Sequence, residues 1–128
     1  LVTPMLATPL AELLVGARRD PDVGPVLTLG AGGVWVELLR DVSHRVLPVG
    51  PGEIRDMLAE LRTYGLLTGA RGRDGADLDA VAGQAGAVAR CLLELPEVAE
   101  MEINPLFVYA HGVEAVDARV FLQQEVDG

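Results

Sequence analysis

One stretch constrains this chain more than any other. It runs Met101-Glu102-Ile103-Asn104-Pro105-Leu106-Phe107-Val108-Tyr109, passes through His111-Gly112, and continues Val113-Glu114-Ala115-Val116-Asp117-Ala118-Arg119. Apolar residues alternate with polar ones on both sides of a glycine, which is the pattern of two short strands around a tight turn. Successive residues of a strand point to opposite faces, so Glu102 and Asn104 share a face. Two registers fit. A loop made of His111 and Gly112 sets Asn104 opposite Arg119 and diagonal to Asp117. A four-residue loop, 109–112, sets Asn104 opposite Asp117. Both have the same parity, so both put Asn104 and Asp117 on one face.

Cross-strand neighbours stand roughly 5–8 Å apart at Cβ. That gap suits two oxygen donors closing on one Mg²⁺ at about 2.1 Å each. The plainer account of the same residues is that Asn104 starts a turn before Pro105 and Asp117 ends a strand.

Composition narrows the possibilities. A chain of 128 residues is one domain or part of one, and its first residue, Leu1, suggests a piece of a longer protein. Half the residues are hydrophobic but only 4% are aromatic, so the core has to be aliphatic and alanine-rich. No apolar run approaches the length needed to span a membrane, and the N-terminus lacks the pattern of a signal peptide. The single cysteine, Cys91, excludes an internal disulfide, fits a reducing cytoplasm, and is expected to be a buried small hydrophobe. Net charge is −9, which argues against nucleic acid as a partner. It does not argue against nucleotides, where Mg²⁺ supplies compensating charge. All ten basic residues are arginine.

Taken in order, residues 11–18 read as a strand, residues 18–22 as a polar turn and residues 25–29 as a second strand. Gly30-Ala31-Gly32-Gly33 follows. Such a stretch either lets backbone N–H groups approach a phosphate or marks close packing of backbones, and it lacks the Gly-Lys-Ser/Thr ending of a P-loop. Glu37, inside the apolar run 34–39, needs a partner such as Arg40, Arg45 or a ligand. Residues 43–49 suggest a strand and 53–62 a helix. Residues 63–75 suggest the longest loop, with Arg71 and Arg73 in reach of a phosphate or a partner surface. Asp77 caps a second helix over 78–95, whose stripe is Leu78, Val81, Ala82, Ala85, Val88, Ala89 and Leu92. His44 has no second histidine or cysteine nearby and is no zinc ligand. The tail 121–128 turns acidic and reads as an exit from the domain. The fold class is α+β: a mainly antiparallel sheet with two helices packed on one face.

Glu-Ile-Asn-Pro-Leu followed by a hairpin and an Asp-bearing strand resembles the metal hairpin of ATP-grasp domains. The nearest version is that of ADP-forming acyl-CoA (acetyl-CoA) synthetases and succinyl-CoA synthetase beta subunits. Glu12-Leu13-Leu14-Val15-Gly16-Ala17-Arg18-Arg19-Asp20-Pro21, Gly30-Ala31-Gly32-Gly33 and Leu66-Leu67-Thr68-Gly69-Ala70-Arg71-Gly72 are similar to the same family, in the same order. The resemblance implies that residues 1–128 are the C-terminal lobe of an ATP-grasp domain. The lysines that hold nucleotide phosphates would then lie in the remaining lobe. It implies ATP/ADP and Mg²⁺ as cofactors, with Asn104 and Asp117 as metal ligands. Glu12 would meet the ribose, and the segment of Thr3 and Met5 would be the hinge beside the adenine. Glu102 would face a phosphohistidine carried by another, CoA-binding domain. A small-molecule acid and CoA would be the other reactants, in a cytoplasmic homo- or hetero-oligomer. The alternative is a regulatory or degenerate ATP-grasp module in a protein lysine acetyltransferase with a fused acetyltransferase domain.

Overall fold

In the computed structural model residues 8–32, 40–69 and 75–124 are described. The expectations for residues 34–39, with Glu37, and for Arg71 and Arg73 fall outside them. The described strands are β1 (Ala11–Asp20), β2 (Gly24–Ala31), β3 (Val42–Val46), β4 (Val98–Val108), β5 (Val113–Ala115) and β6 (Ala118–Leu122). Between β3 and β4 come α1 (Pro51–Ala59), α2 (Tyr64–Leu67) and α3 (Leu78–Glu94). The strands form one antiparallel sheet in the order β3-β2-β1-β4-β5, with β6 continuing β5 along the same edge of β4. The α+β architecture is the one the sequence pattern predicts.

The first hairpin shows how local chemistry sets the path. Arg18, Arg19 and Asp20, read as turn residues, belong to β1 instead. Asp20 Oδ1 accepts from the N–H groups of Asp22 (2.8 Å) and Val23 (3.2 Å), and Gly24 takes a positive φ of 92°. An Asx-type turn closed by a left-handed glycine brings β2 back against β1.

The helices cover one face. Val81, Ala82, Ala85, Val88, Ala89 and Leu92 of α3 are buried, and α3 lies across β1, β4 and β2. Alanine at three of these positions lets the helix approach the sheet closely. They meet Leu13, Val15 and Ala17 of β1, Leu27 and Leu29 of β2, and Ile103, Leu106 and Val108 of β4. Each fully buried aliphatic side chain contributes ~1.5–3 kcal/mol. Cys91, expected inside, is half-buried at the edge of this stripe. Both ends of α3 are capped. Asp77 Oδ1 accepts from the Ala80 N–H at 3.0 Å. At the other end the Arg19 guanidinium donates to the carbonyls of Leu92, Leu95 (3.0 Å) and Val98 (2.8 Å). A cation on those orphan carbonyls also opposes the negative end of the helix dipole.

Three further expectations need correction. Helix α1 begins at Pro51, a residue whose fixed φ suits the first helical position, and ends at Ala59. The segment read as the longest loop contains α2, with Leu67 fully buried beneath it. Buried Asp41 holds α2 in place by accepting from the N–H groups of Arg62 (2.6 Å) and Thr63 (3.0 Å). Phe121 and Leu122 belong to β6 rather than to a tail. Of the two readings of the glycine run, the placement of Gly30 and Gly32 favours close packing. Gly30 and Ala31 are in β2, the Ala31 N–H donates to Asp41 O (2.9 Å) and the Gly32 N–H donates to Glu12 O (2.8 Å). These amides are already used.

Two predictions follow from the packing and the charges. A Cβ at Gly32 would come within 2.8 Å of the Leu13 backbone, whereas one at Gly52 meets nothing within 4 Å. Gly32→Ala is expected to lower the unfolding free energy by ~1–3 kcal/mol in urea titration, and Gly52→Ala, at a helical position with open space, to raise it by ~0.4–1 kcal/mol. Second, Arg45 and Ser43 hydrogen-bond Glu60 and hold its carboxyl down at about 2 instead of 4.5. A folded-state value below the unfolded one contributes stability above pH 4.5, and that contribution is lost as pH falls toward about 2. Glu60→Gln should therefore flatten the fall of the melting temperature across that window.

Candidate metal hairpin

The pairing of β1 with β4 sets up the site. Leu13 pairs with Leu106 and Val15 with Ile103, so Asn104 and Pro105 together face the single residue Leu14. The extra residue shifts the alternation of β4. Met101 and Ile103 point to the helices before it, and Leu106 and Val108 do so after it. Glu102 and Asn104 are left on the open face of the sheet.

The return arm carries Asp117 to the same place. Val108 pairs with Val113 and Ile103 with Ala118, which is the four-residue loop register of the two that the sequence allows. The Asn104 N–H donates to Asp117 O (3.0 Å), and the Val116 N–H donates to Pro105 O (3.1 Å). Glu102 pairs with Arg119. Four side chains, Glu102, Asn104, Asp117 and Arg119, line a small polar cleft of about 120 Å³. That is room for a cation with several waters or a phosphate oxygen. Glu102 and Asn104 are half-buried; Asp117 and Arg119 are exposed.

The donor set can be judged chemically. Carboxylate, amide carbonyl and water are the ligands of a hard cation such as Mg²⁺. Among the described residues no three His, Cys, Asp or Glu side chains come together, so a metal here would complete its shell with water and phosphate oxygens. That is the usual habit of Mg²⁺ at nucleotide sites. Arg119 Nε stands 3.6 Å from Asp117 Oδ2. An exposed pair of this kind is worth ~0–1 kcal/mol, so the guanidinium yields readily to a cation or turns to a phosphate.

Glu12 is exposed on the same open face, opposite Phe107. Strand spacing places it about 8 Å from Asn104. Thr3 and Met5 lie outside the described residues. His44, on β3 and three strands from β4, is bonded through Nδ1 to Thr28 Oγ1 (2.8 Å). Sequence reasoning placed Arg119 only as a register partner. Its position two residues beyond Asp117, on the same face, was the signal that it belongs to the cleft.

The turn itself is tied down. Tyr109 N–H donates to Gly112 O (3.0 Å), and Gly112 has a positive φ of 93°. The Tyr109 hydroxyl donates to Glu114 Oε1 at 3.2 Å, and burial, with that carboxylate beside it, raises the phenol above its usual value. Asp77 Oδ2 accepts from the Gly112 N–H at 2.7 Å and the Asp77 N–H donates to Tyr109 O at 2.8 Å. The Gly112 and Ala80 N–H groups hold the Asp77 carboxyl below the usual carboxylate range.

Comparison with known proteins gives the same outline. The profile of the ATP-grasp domain family matches residues 1–122. An ADP-forming acetate–CoA ligase I of Archaeoglobus fulgidus is 44% identical over 115 residues, which is 90% of this chain and 17% of the relative. The beta subunit of the ADP-forming acetate–CoA ligase I of Pyrococcus furiosus is 43% identical over 87% of this chain and 48% of the relative. Among solved structures, the dinucleotide-forming acetyl-coenzyme A synthetase 1 of Ca. Korarchaeum cryptofilum superposes with a TM-score of 0.86 at 43% identity, covering 91% of this chain and 55% of that one. That structure is described as a complex with coenzyme A and Mg-AMPPCP, its phosphohistidine segment pointing towards the nucleotide binding site. The chain thus spans about half of the beta-subunit relative and about a sixth of the single-chain one.

Proposed function

This chain belongs to the ATP-grasp domain family, in the form carried by ADP-forming acyl-CoA synthetases, and from that premise we propose that it is the C-terminal, Mg-nucleotide-binding lobe of such an enzyme. In this reading residues 1–128 are one part of a larger protein. That protein interconverts acyl-CoA, ADP and phosphate with the free acid, CoA and ATP, and a phosphoryl group passes between the nucleotide and a histidine on another domain. The observation that carries the reading is the cleft itself, where Asn104 and Asp117 meet across one rung and Glu102 and Arg119 flank them on the next.

Phosphoryl transfer asks a protein for positioning and charge neutralisation more than for covalent help. Mg²⁺, when bound, would supply neutralising charge to the phosphate oxygens. Asn104 and Asp117 would hold it, one by an amide oxygen and one by a carboxylate, from opposite strands of a rigid rung. Glu102, beside them on the same face, would meet the incoming histidine and keep its ring oriented through a hydrogen bond. Arg119 would leave Asp117 and turn toward the phosphoryl group. Glu12 would accept from a ribose hydroxyl. The open face of the sheet is where the other lobe and the histidine-bearing domain would close. The relatives described above are named as ligases or synthetases, which supports a catalytic lobe over a regulatory one.

No helix among the described residues is long and apolar enough to cross a membrane. Cytoplasmic placement and an oligomeric assembly are part of the proposal.

Asp117→Asn in the complete protein is expected to cut nucleotide-dependent turnover at least a hundredfold, with the circular dichroism spectrum and melting temperature preserved because Asp117 is exposed. Full activity in that variant would refute the assignment.

A further inference from the structure

The return arm of the hairpin poses a problem of register. Every residue of β6 is exposed, and β5 is only three residues long. Register is strongly set where one face is buried and weakly set where it is not. A slip of one residue would turn Asp117 to the opposite face from Asn104. In this arm only Val113, at its start, packs against the core, so burial pins the register at one point and bonds at the turn have to secure the rest.

We propose that Asp77 is a positioning residue for the metal pair, acting through the hairpin turn that it grips on both sides. The proposal rests on the assignment of Asn104 and Asp117 as metal ligands. Asp77 N–H donates to Tyr109 O (2.8 Å), and Asp77 Oδ2 accepts from Gly112 N–H (2.7 Å). Tyr109 and Gly112 are the first and last residues of the loop. Asn104 lies five residues before the one, and Asp117 five residues after the other. The grip is therefore symmetrical about the ladder that ends in the Asn104–Asp117 rung. Gly112 presents its amide to the carboxylate from a positive φ of 93°, a conformation that favours glycine.

Asp77 can fix the turn because it is itself fixed. Its other oxygen, Oδ1, caps α3 through the Ala80 N–H (3.0 Å). Helix α3 is packed along its length on the sheet and held at its far end by Arg19. One carboxylate thus ties the turn to the most buried helix described. The far end of the arm has its own pin: the Gln123 N–H donates to Glu97 O (2.8 Å) and its side-chain amide to Pro96 O (2.6 Å). Asp117 hangs between the two pins.

The cap and the side-chain half of the grip can be separated, while the backbone bond to Tyr109 O stays in any variant. Serine at position 77 keeps an acceptor for the helix N-terminus but has one short oxygen and cannot also reach Gly112. In the complete protein, Asp77→Ser is expected to melt within a few degrees of wild type. Peptides spanning 109–117 should exchange amide hydrogen at least tenfold faster, while peptides from the middle of α3 stay protected. The Mg²⁺ concentration needed for half-maximal nucleotide turnover should rise about tenfold. Unchanged exchange at 109–117 overturns the proposal, and so does an unchanged Mg²⁺ requirement in Asp77→Ser alone. A Mg²⁺ requirement unchanged in both Asp77→Ser and Asp117→Asn overturns the metal assignment itself, and this proposal with it.

Discussion

The offset in the pairing of β1 with β4 governs where everything else can stand. Leu14 faces two residues, Asn104 and Pro105, where regular pairing would give it one. Without that extra residue β4 could not serve both layers. Ile103, Leu106 and Val108 all reach the core beneath α3, and Glu102 and Asn104 still stand on the open face. A bulge is the usual means by which a strand re-aims a side chain beside a site. Here it lets one interior strand of the sheet be core and cleft at once.

The cleft inherits its rigidity from that arrangement. Asn104 is on a strand paired on both sides, by β1 and by the β5–β6 arm. Asp117 is on an edge, exposed, and held by its backbone bond to Asn104 and by that of its neighbour Val116 to Pro105. Under the proposed assignment, one ligand position would be set by the core and the other by the hairpin. The core-side ligand would tolerate little movement. The edge-side ligand depends on the turn and its attachment to α3. A metal held by two protein groups, with water and phosphate completing its shell, would suit the proposed role, in which nucleotide is released and rebound.

Much of this was legible in the sequence, and the failures are instructive. The i, i+2 relation of Glu102 and Asn104 and the shared face of Asn104 and Asp117 came from strand periodicity, because parity does not depend on loop length. The choice between the two registers did not. It rests on Tyr109–Gly112 bonding and on Asp77, which is more than thirty residues away in sequence. Simple alternation through residues 101–109 also predicts Phe107 inside and Leu106 outside. The structure does the reverse, since the bulge resets the count; Pro105, which cannot donate to a ladder, is the one local sign of it. The α3 stripe was readable because six buried positions follow helical spacing with a capping aspartate in front. The one-turn helix α2 was not, because four residues carry no period. The glycine run was ambiguous in sequence, and the placement of Gly30 and Gly32 against neighbouring backbone decides for close packing.

The central claim is that Asn104 and Asp117 together make a nucleotide-linked Mg²⁺ site. The most direct measurement is calorimetric titration of the complete protein with ADP, with and without Mg²⁺, beside an Asn104→Ala, Asp117→Ala double variant. The account predicts that Mg²⁺ strengthens ADP binding at least tenfold in the wild type and has no effect in the variant. Equal dependence on Mg²⁺ in both proteins would contradict it and place the metal elsewhere.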